Sequence, residues 1–184
     1  MNNQIEEWIR EGIVQESSSE YASPIVLVGK KDGGMRLCVD YRRLNEKTYK
    51  DSYPLPLIGD QLDRLQSSKL FSVLDLKDGF FHVPLHKNSR KYTAFVVPDG
   101  QYAFLKTPFG LCNSPAIFQR FINAVFRDLI RDGTMLTYLD LIVPSHNERD
   151  GVHKFRKVLF TASEYGLCIN WKKCRFLQRR IEVM

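Results

Sequence analysis

Two aspartates set among apolar, strand-forming residues carry the most chemistry in this chain. Asp75 lies in Leu74-Asp75-Leu76-Lys77-Asp78-Gly79-Phe80, and Asp140 in Tyr138-Leu139-Asp140-Leu141-Ile142, 65 positions later. Transfer of a phosphoryl group to a hydroxyl is mostly positioning and electrostatics, with two metal ions roughly 3.5–4 Å apart clamping the attacking and leaving oxygens. Mg²⁺ takes few protein ligands besides phosphate and water, so two or three carboxylates suffice. Those carboxylates must be rigid, because a misplacement of about 1 Å can cost about a hundredfold in rate. A strand end and a hairpin turn both meet that demand. Either aspartate alone is better explained as a turn residue bonded to backbone N–H groups. The pair, each flanked by apolar strand, is what points to a metal site.

The elements that must position this pair follow from periodicity and turn chemistry. Residues 3–12 predict an amphipathic helix on Ile5, Trp8 and Ile9, closed by Gly12. Residues 25–28 and 35–39 predict a hairpin whose turn carries Lys30 and Lys31. A rigid Tyr53-Pro54-Leu55-Pro56 connector precedes a helix over 57–66 on Ile58, Leu62 and Leu65. The run 70–74 is apolar on both faces, the pattern of a central buried strand leading into Asp75. Residues 80–85 and 93–97 read as strands, with a turn at Pro98-Asp99-Gly100. Ser114 as N-cap and Pro115 open one long helix to Ile130, ended by Asp132-Gly133. Residues 135–143 predict strand–turn–strand centred on Asp140. Asn147 caps a last helix that presents Val152, Phe155, Val158, Leu159 and Ala162, closed by Gly166. This order predicts an α+β fold, an antiparallel sheet with helices packed on one face.

Composition narrows the partners. The chain has 184 residues, 43% of them apolar, and carries 27 Lys and Arg against 21 Asp and Glu, a formal charge of +6 that favours a polyanion. Four scattered cysteines form no CxxC pair, and His146, His153, Cys168 and Cys174 match no finger spacing, so reduced thiols in an intracellular protein (cytoplasm or nucleus) are expected. No apolar run approaches the roughly 20 residues of a membrane span. The polar start shows no signal peptide, so no membrane partner is expected.

Eight ordered blocks then carry a resemblance that none would carry alone. They are Tyr21-Ala22-Ser23-Pro24 with its apolar run, Arg36-Leu37-Cys38-Val39-Asp40-Tyr41-Arg42-Arg43-Leu44-Asn45, Tyr53-Pro54-Leu55-Pro56, and the Asp75 segment. Thr107-Pro108-Phe109-Gly110-Leu111, Ser114-Pro115-Ala116-Ile117-Phe118-Gln119, Tyr138-Leu139-Asp140, and Gly166-Leu167 with Lys172-Lys173-Cys174 complete the set. Over nearly its whole length the chain resembles the reverse transcriptase of LTR retrotransposons of the Ty3/Gypsy type. The resemblance implies a right-hand polymerase with palm and fingers, acting on an RNA or DNA template with a primer, dNTPs and Mg²⁺ or Mn²⁺. It implies residues 1–70 as mostly fingers and 71–184 as mostly palm, with a fingers segment around 86–110, and the thumb, connection and RNase H outside the chain. Asp75 and Asp140 resemble the metal-binding aspartates, and the Leu76 carbonyl an extra ligand. Phe80 resembles the steric gate against a ribose 2′-hydroxyl. Lys30, Lys31 and Arg36 fall where the family grips the triphosphate, and Phe109 and Gly110 where it lines the nucleotide pocket. Lys173, or its neighbour Lys172, matches the lysine proposed to protonate pyrophosphate. Gln119 is expected to face the template, and Tyr138 the template and primer.

One departure bears on activity. The family hairpin reads Tyr-x-Asp-Asp, whereas Asp140 here runs straight into Leu141-Ile142-Val143-Pro144-Ser145. A one-residue deletion removes a carboxylate. It also shifts the return strand, turning its side chains to the opposite faces unless the turn tightens. Weak polymerisation is the expectation, with a dead remnant that at most binds nucleic acid as the alternative.

Overall fold

The computed structural model describes residues 2–29, 33–54, 59, 65–138 and 140–180. The chain divides into two compact units, Met1–Asp51 with Phe80–Pro115, and Ser52–Gly79 with Ala116–Met184. The strands are β1 (Val14–Glu16), β2 (Ile25–Gly29), β3 (Met35–Val39), β4 (Leu70–Leu74), β5 (Phe95–Val97), β6 (Gly100–Phe104), β7 (Leu136–Tyr138), β8 (Asp140–Ser145) and β9 (Arg175–Gln178). The principal helices are α1 (Asn2–Arg10), α2 (Arg42–Lys47), α3 (Ser114–Val125), α4 (Arg127–Arg131) and α5 (Glu148–Glu164). The class is α+β with antiparallel sheets, as the element order predicted.

In the first unit, the apolar stripe of α1 packs Ile5 against Ile13, Val14, Leu37, Tyr41, Phe95 and Phe104. Trp8 adds its ring edge-on to Phe81 at 5.9 Å. Strands β1, β6 and β5 form one sheet in that order, and β2 with β3 forms the expected hairpin as a separate two-stranded sheet. Three-residue β1 was not predicted, because a run that short shows no period. The strand predicted over 80–85 is instead a 3₁₀ turn at Gly79–His82. Asp78, at φ 50°, turns the chain out of extended geometry just before it, and the Val83 N–H donates to the Phe80 carbonyl at 3.1 Å.

The second unit is built on a sheet ordered β7-β8-β4-β9. β4 is interior as expected, although only Ser72 and Leu74 are fully buried along it. The helix expected over 57–66 falls mostly outside the described residues. Leu65 joins a cluster with Leu136, Ile142 and Phe71. The predicted single helix after Ser114 breaks at Phe126 (φ −102°, ψ 20°), whose ring is fully buried. Ser114 does not act as a side-chain cap but donates its hydroxyl to the Pro108 carbonyl at 2.7 Å. α5 packs on β4 and β8. Asn147 Oδ1 caps it by accepting from the Asp150 N–H at 2.9 Å, and Gly166 at φ 63° ends it. The approach to β8 is close because Gly151 has no side chain, since a Cβ there would stand 2.9 Å from Ser145 Oγ.

Candidate active site

Asp75 follows β4 directly and Asp140 opens β8. The two strands pair antiparallel with Ser72 opposite Val143, Val73 opposite Ile142 and Leu74 opposite Leu141. The next step of that register sets Asp75 opposite Asp140. β7 and β8 pair Leu136 with Ile142, Thr137 with Leu141 and Tyr138 with Asp140, so one position, 139, separates the last paired residues. Hairpins ordinarily need two residues in the loop. The shortened motif therefore comes with a shortened turn. The return strand tolerates this because both of its faces are covered: Leu141, Ile142 and Val143 are 1%, 4% and 1% exposed. A shift by one residue exposes no apolar side chain in a strand of this kind.

Asp140 is half-buried. Burial, and then the charge of Asp75, push its carboxyl above the usual range, while Lys173 and Arg175 pull the other way. Lys173 Nζ lies 3.8 Å from Asp75 Oδ2. The Asp75 carbonyl accepts from the Asn170 N–H at 2.9 Å, and the Lys77 N–H donates to the Cys168 carbonyl at 2.8 Å, which brackets an antiparallel bridge between Leu76 and Ile169. In such a bridge the middle residue's own carbonyl points away from the bridging strand. Cys174 also belongs to this cluster. Its thiol is pushed up, first by burial and then by the charges of Asp75 and Asp140 against a backbone hydrogen bond at Asp75. It donates to the Asn170 carbonyl at 3.3 Å. From this segment the sequence singled out Lys173 or Lys172 for the site, and placed neither Cys174 nor Arg175 there. Among the described residues no three His, Cys, Asp or Glu side chains converge on one point.

The remaining predicted residues fall in several places. In the first unit, the Phe80 and Phe109 rings lie 4.7 Å apart, and Phe109 is 47% exposed. Gly110 has φ 93°. A Cβ on it would meet the Val39 carbonyl at 3.4 Å, and its own carbonyl accepts from Asn45 Nδ2 at 2.8 Å. Arg36 is exposed on β3, opposite Val28. Lys30, Lys31 and the side chain of Tyr138 lie outside the described residues. Gln119 requires a correction. It is 1% exposed, and its Nε2 donates to Thr137 Oγ1 at 2.8 Å and to Asn123 Oδ1 at 3.0 Å. An amide buried this far ties α3 to β7 and does not reach a template strand. The apolar neighbours on α3 gave no sign of that, because a polar residue on a helix reads as surface.

Comparison with known proteins fits this geometry. Residues 28–184 match the family model described as reverse transcriptase (RNA-dependent DNA polymerase). The chain is 36% identical over 190 residues to the retrovirus-related Pol polyprotein from transposon gypsy of Drosophila melanogaster, covering 100% of this chain and 18% of that protein. It is 34% identical over 183 residues to the transposon Tf2-7 polyprotein of Schizosaccharomyces pombe, covering 99% and 14%. It thus spans less than a fifth of these relatives. Among solved structures, the foamy viral protease-reverse transcriptase dRH in complex with double-stranded DNA superposes with a TM-score of 0.90 at 25% identity, covering 100% of this chain and 32% of that one. The complex of the foamy viral enzyme with an RNA/DNA hybrid gives 0.85 at 26%, covering 95% and 23%.

Proposed function

The chain belongs to the reverse transcriptase (RNA-dependent DNA polymerase) family, and on that footing we propose that it is an RNA-directed DNA polymerase domain whose metal site is short of one carboxylate. The observation that carries the reading is the register that sets Asp75 opposite Asp140. The donor set fits a hard divalent cation. The charge of Asp75 adds to what burial costs the half-buried carboxyl of Asp140, and these two side chains with the Leu76 carbonyl offer oxygen ligands that suit Mg²⁺ or Mn²⁺. Such ions, when bound, neutralise charge on the reacting phosphate oxygens. The protein's own side chains supply the rest. Lys173, beside Asp75, holds a proton for the departing pyrophosphate. Arg36, with Lys30 and Lys31, takes the triphosphate, Arg as a fork and Lys as point charges. Phe80, its ring 4.7 Å from that of Phe109, is the gate against a 2′-hydroxyl, Phe109 lines the nucleotide pocket, and Gly110 lets the nucleotide approach the backbone. Tyr138 is assigned to the primer end. Residues 1–70, with a segment around 86–110, take mostly the fingers role and the rest of 71–184 mostly the palm role, with primer and an RNA or DNA template as partners; the foamy viral enzyme is solved with double-stranded DNA and with an RNA/DNA hybrid.

A second reading, a remnant that binds nucleic acid without chemistry, is favoured by the count of two carboxylates among the described residues. Primer extension separates the two. Inserting an aspartate between Asp140 and Leu141 lengthens the turn to the usual two residues. It places the new carboxylate opposite Asp75 and moves Asp140 into the turn. The expected outcome is weak extension by the parent and a gain of about 10²–10³ in the insertion variant, the scale for one preorganised charged group. Parent extension equal to that of the variant refutes the impairment. Failure of both leaves the remnant reading.

A further inference from the structure

We propose that a cleft on the first unit, lined by none of the residues assigned to polymerisation, is a second contact for single-stranded nucleic acid, holding one backbone phosphate and an adjoining base. A cavity of ≈ 440 Å³ opens between the strip at 15–19 and the turn at 87–91, lined by serines 17–19, Lys87, Arg90 and Lys91, with Glu16 as its one carboxylate. The size is that of a ligand pocket, well beyond a bare phosphate. Its walls are pre-set. Ser19 Oγ donates to the Lys91 carbonyl at 2.8 Å and accepts from the Tyr21 N–H at 3.1 Å. Gln101 Nε2 donates to the carbonyls of Ser19 and Tyr21 at 2.9 and 2.8 Å.

The charges are divided between two tasks. Lys91 pairs with Glu20 at 3.1 Å and lies 5.7 and 5.2 Å from the ring centres of Tyr21 and Tyr92. That pair of contacts fixes the two rings, 4.8 Å apart and edge to face, with 41% and 39% of each tyrosine still exposed. Lys87 and Arg90 remain for a ligand. Arg90 Nε donates to the Leu85 carbonyl at 3.3 Å, which orients the guanidinium while its terminal nitrogens stay unbonded among the described residues. Cations that track a phosphate beside aromatic faces that take any base are the two components of sequence-tolerant single-strand binding. The rings select a polynucleotide over a free anion, and the mixed charge of the rim argues against a large acidic protein surface.

The inference takes from the proposed function only the chemical nature of the partner, so it is tested in EDTA, where metal-dependent chemistry is silent. Anisotropy of a labelled single-stranded DNA is titrated against salt for the whole chain, with inorganic polyphosphate as competitor. Lys87→Gln with Arg90→Gln is expected to flatten the log–log salt slope by about 1.4, two phosphate contacts at about 0.7 each. The charge-matched pair Arg156→Gln and Lys157→Gln, exposed on α5, is expected to keep the parent slope. Tyr92→Leu is expected to weaken binding by about fivefold to a hundredfold with the slope unchanged. Photocrosslinking of an iodouridine oligonucleotide to the unmutated chain is expected at Tyr21 or Tyr92, a readout that no misfolded variant can confuse. A parent-like slope in the Lys87 and Arg90 variant overturns the proposal. So does undiminished binding by Tyr92→Leu, which leaves an anion site that polyphosphate fills equally well, or a crosslink confined to other segments.

Discussion

Replacing Asp140 by asparagine is expected to make the metal-free protein more stable, although the residue is assigned to its active centre. The side chain keeps its volume and loses its charge. With the two carboxyls set about as far apart as directly opposed backbones, about 5 Å, and an effective dielectric constant of about 20, their repulsion is about 3 kcal/mol. Lys173, 3.8 Å from Asp75 but with its side chain 69% exposed, offsets part of this, leaving a net gain of about 1 kcal/mol for the variant. In a domain of this length that is about 2–4 °C in melting temperature. The pH dependence has a fixed sign. The folded-state carboxyl of Asp140 lies above its unfolded value, so the folded chain binds the extra proton. Parent stability is fullest below the ordinary carboxylate range, near 3.9, and is lost as pH rises through the raised value. The variant lacks that loss. Mn²⁺ reverses the ranking, because an ion at a hundred times its dissociation constant adds about 2.7 kcal/mol to a protein that binds it. Thermal melts in EDTA and in Mn²⁺, at neutral pH and near pH 4, read all of this. A variant that melts below the parent in EDTA, or that keeps the full Mn²⁺ shift, refutes the claim that these carboxylates face each other.

Two further substitutions probe how the site is held. Gln119→Ala should cost about 2 kcal/mol by leaving a void and stripping buried Thr137 and half-buried Asn123 of an amide donor. A melting temperature within a degree of the parent would exclude the assigned tie between α3 and β7. Gly110→Ala should cost about 1–2 kcal/mol through the left-handed backbone at φ 93°. Chemical denaturation measures it, and an unchanged midpoint would contradict that strain.

The amino-acid order alone showed which segments are elements and which side chains have chemistry to do. The period of α1, the asparagine cap of α5 and the glycine that ends it are local signals, and each acts within a turn or two of the residue that carries it. The same holds for Asp75 and Asp140, since an aspartate within an apolar strand is conspicuous wherever the strand goes. Motif spacing carried the family for the same reason. Tertiary structure decided the matters that depend on distant partners. The loss of one residue after Asp140 leaves two outcomes open on paper, a flipped strand or a tightened turn. The pairing of Tyr138 with Asp140 on β7 and of Leu141 with Leu74 on β4 selected the second. Cys174 and Arg175 reach the site because the chain returns beside β4 as β9, a contact spanning about a hundred positions that no local pattern encodes. Gln119 turned inward because Thr137 was waiting there, and Phe126 broke a helix that propensity would have continued. In each case side-chain period and backbone hydrogen bonding were legible early, while the identity of the facing partner was settled when the strands came together.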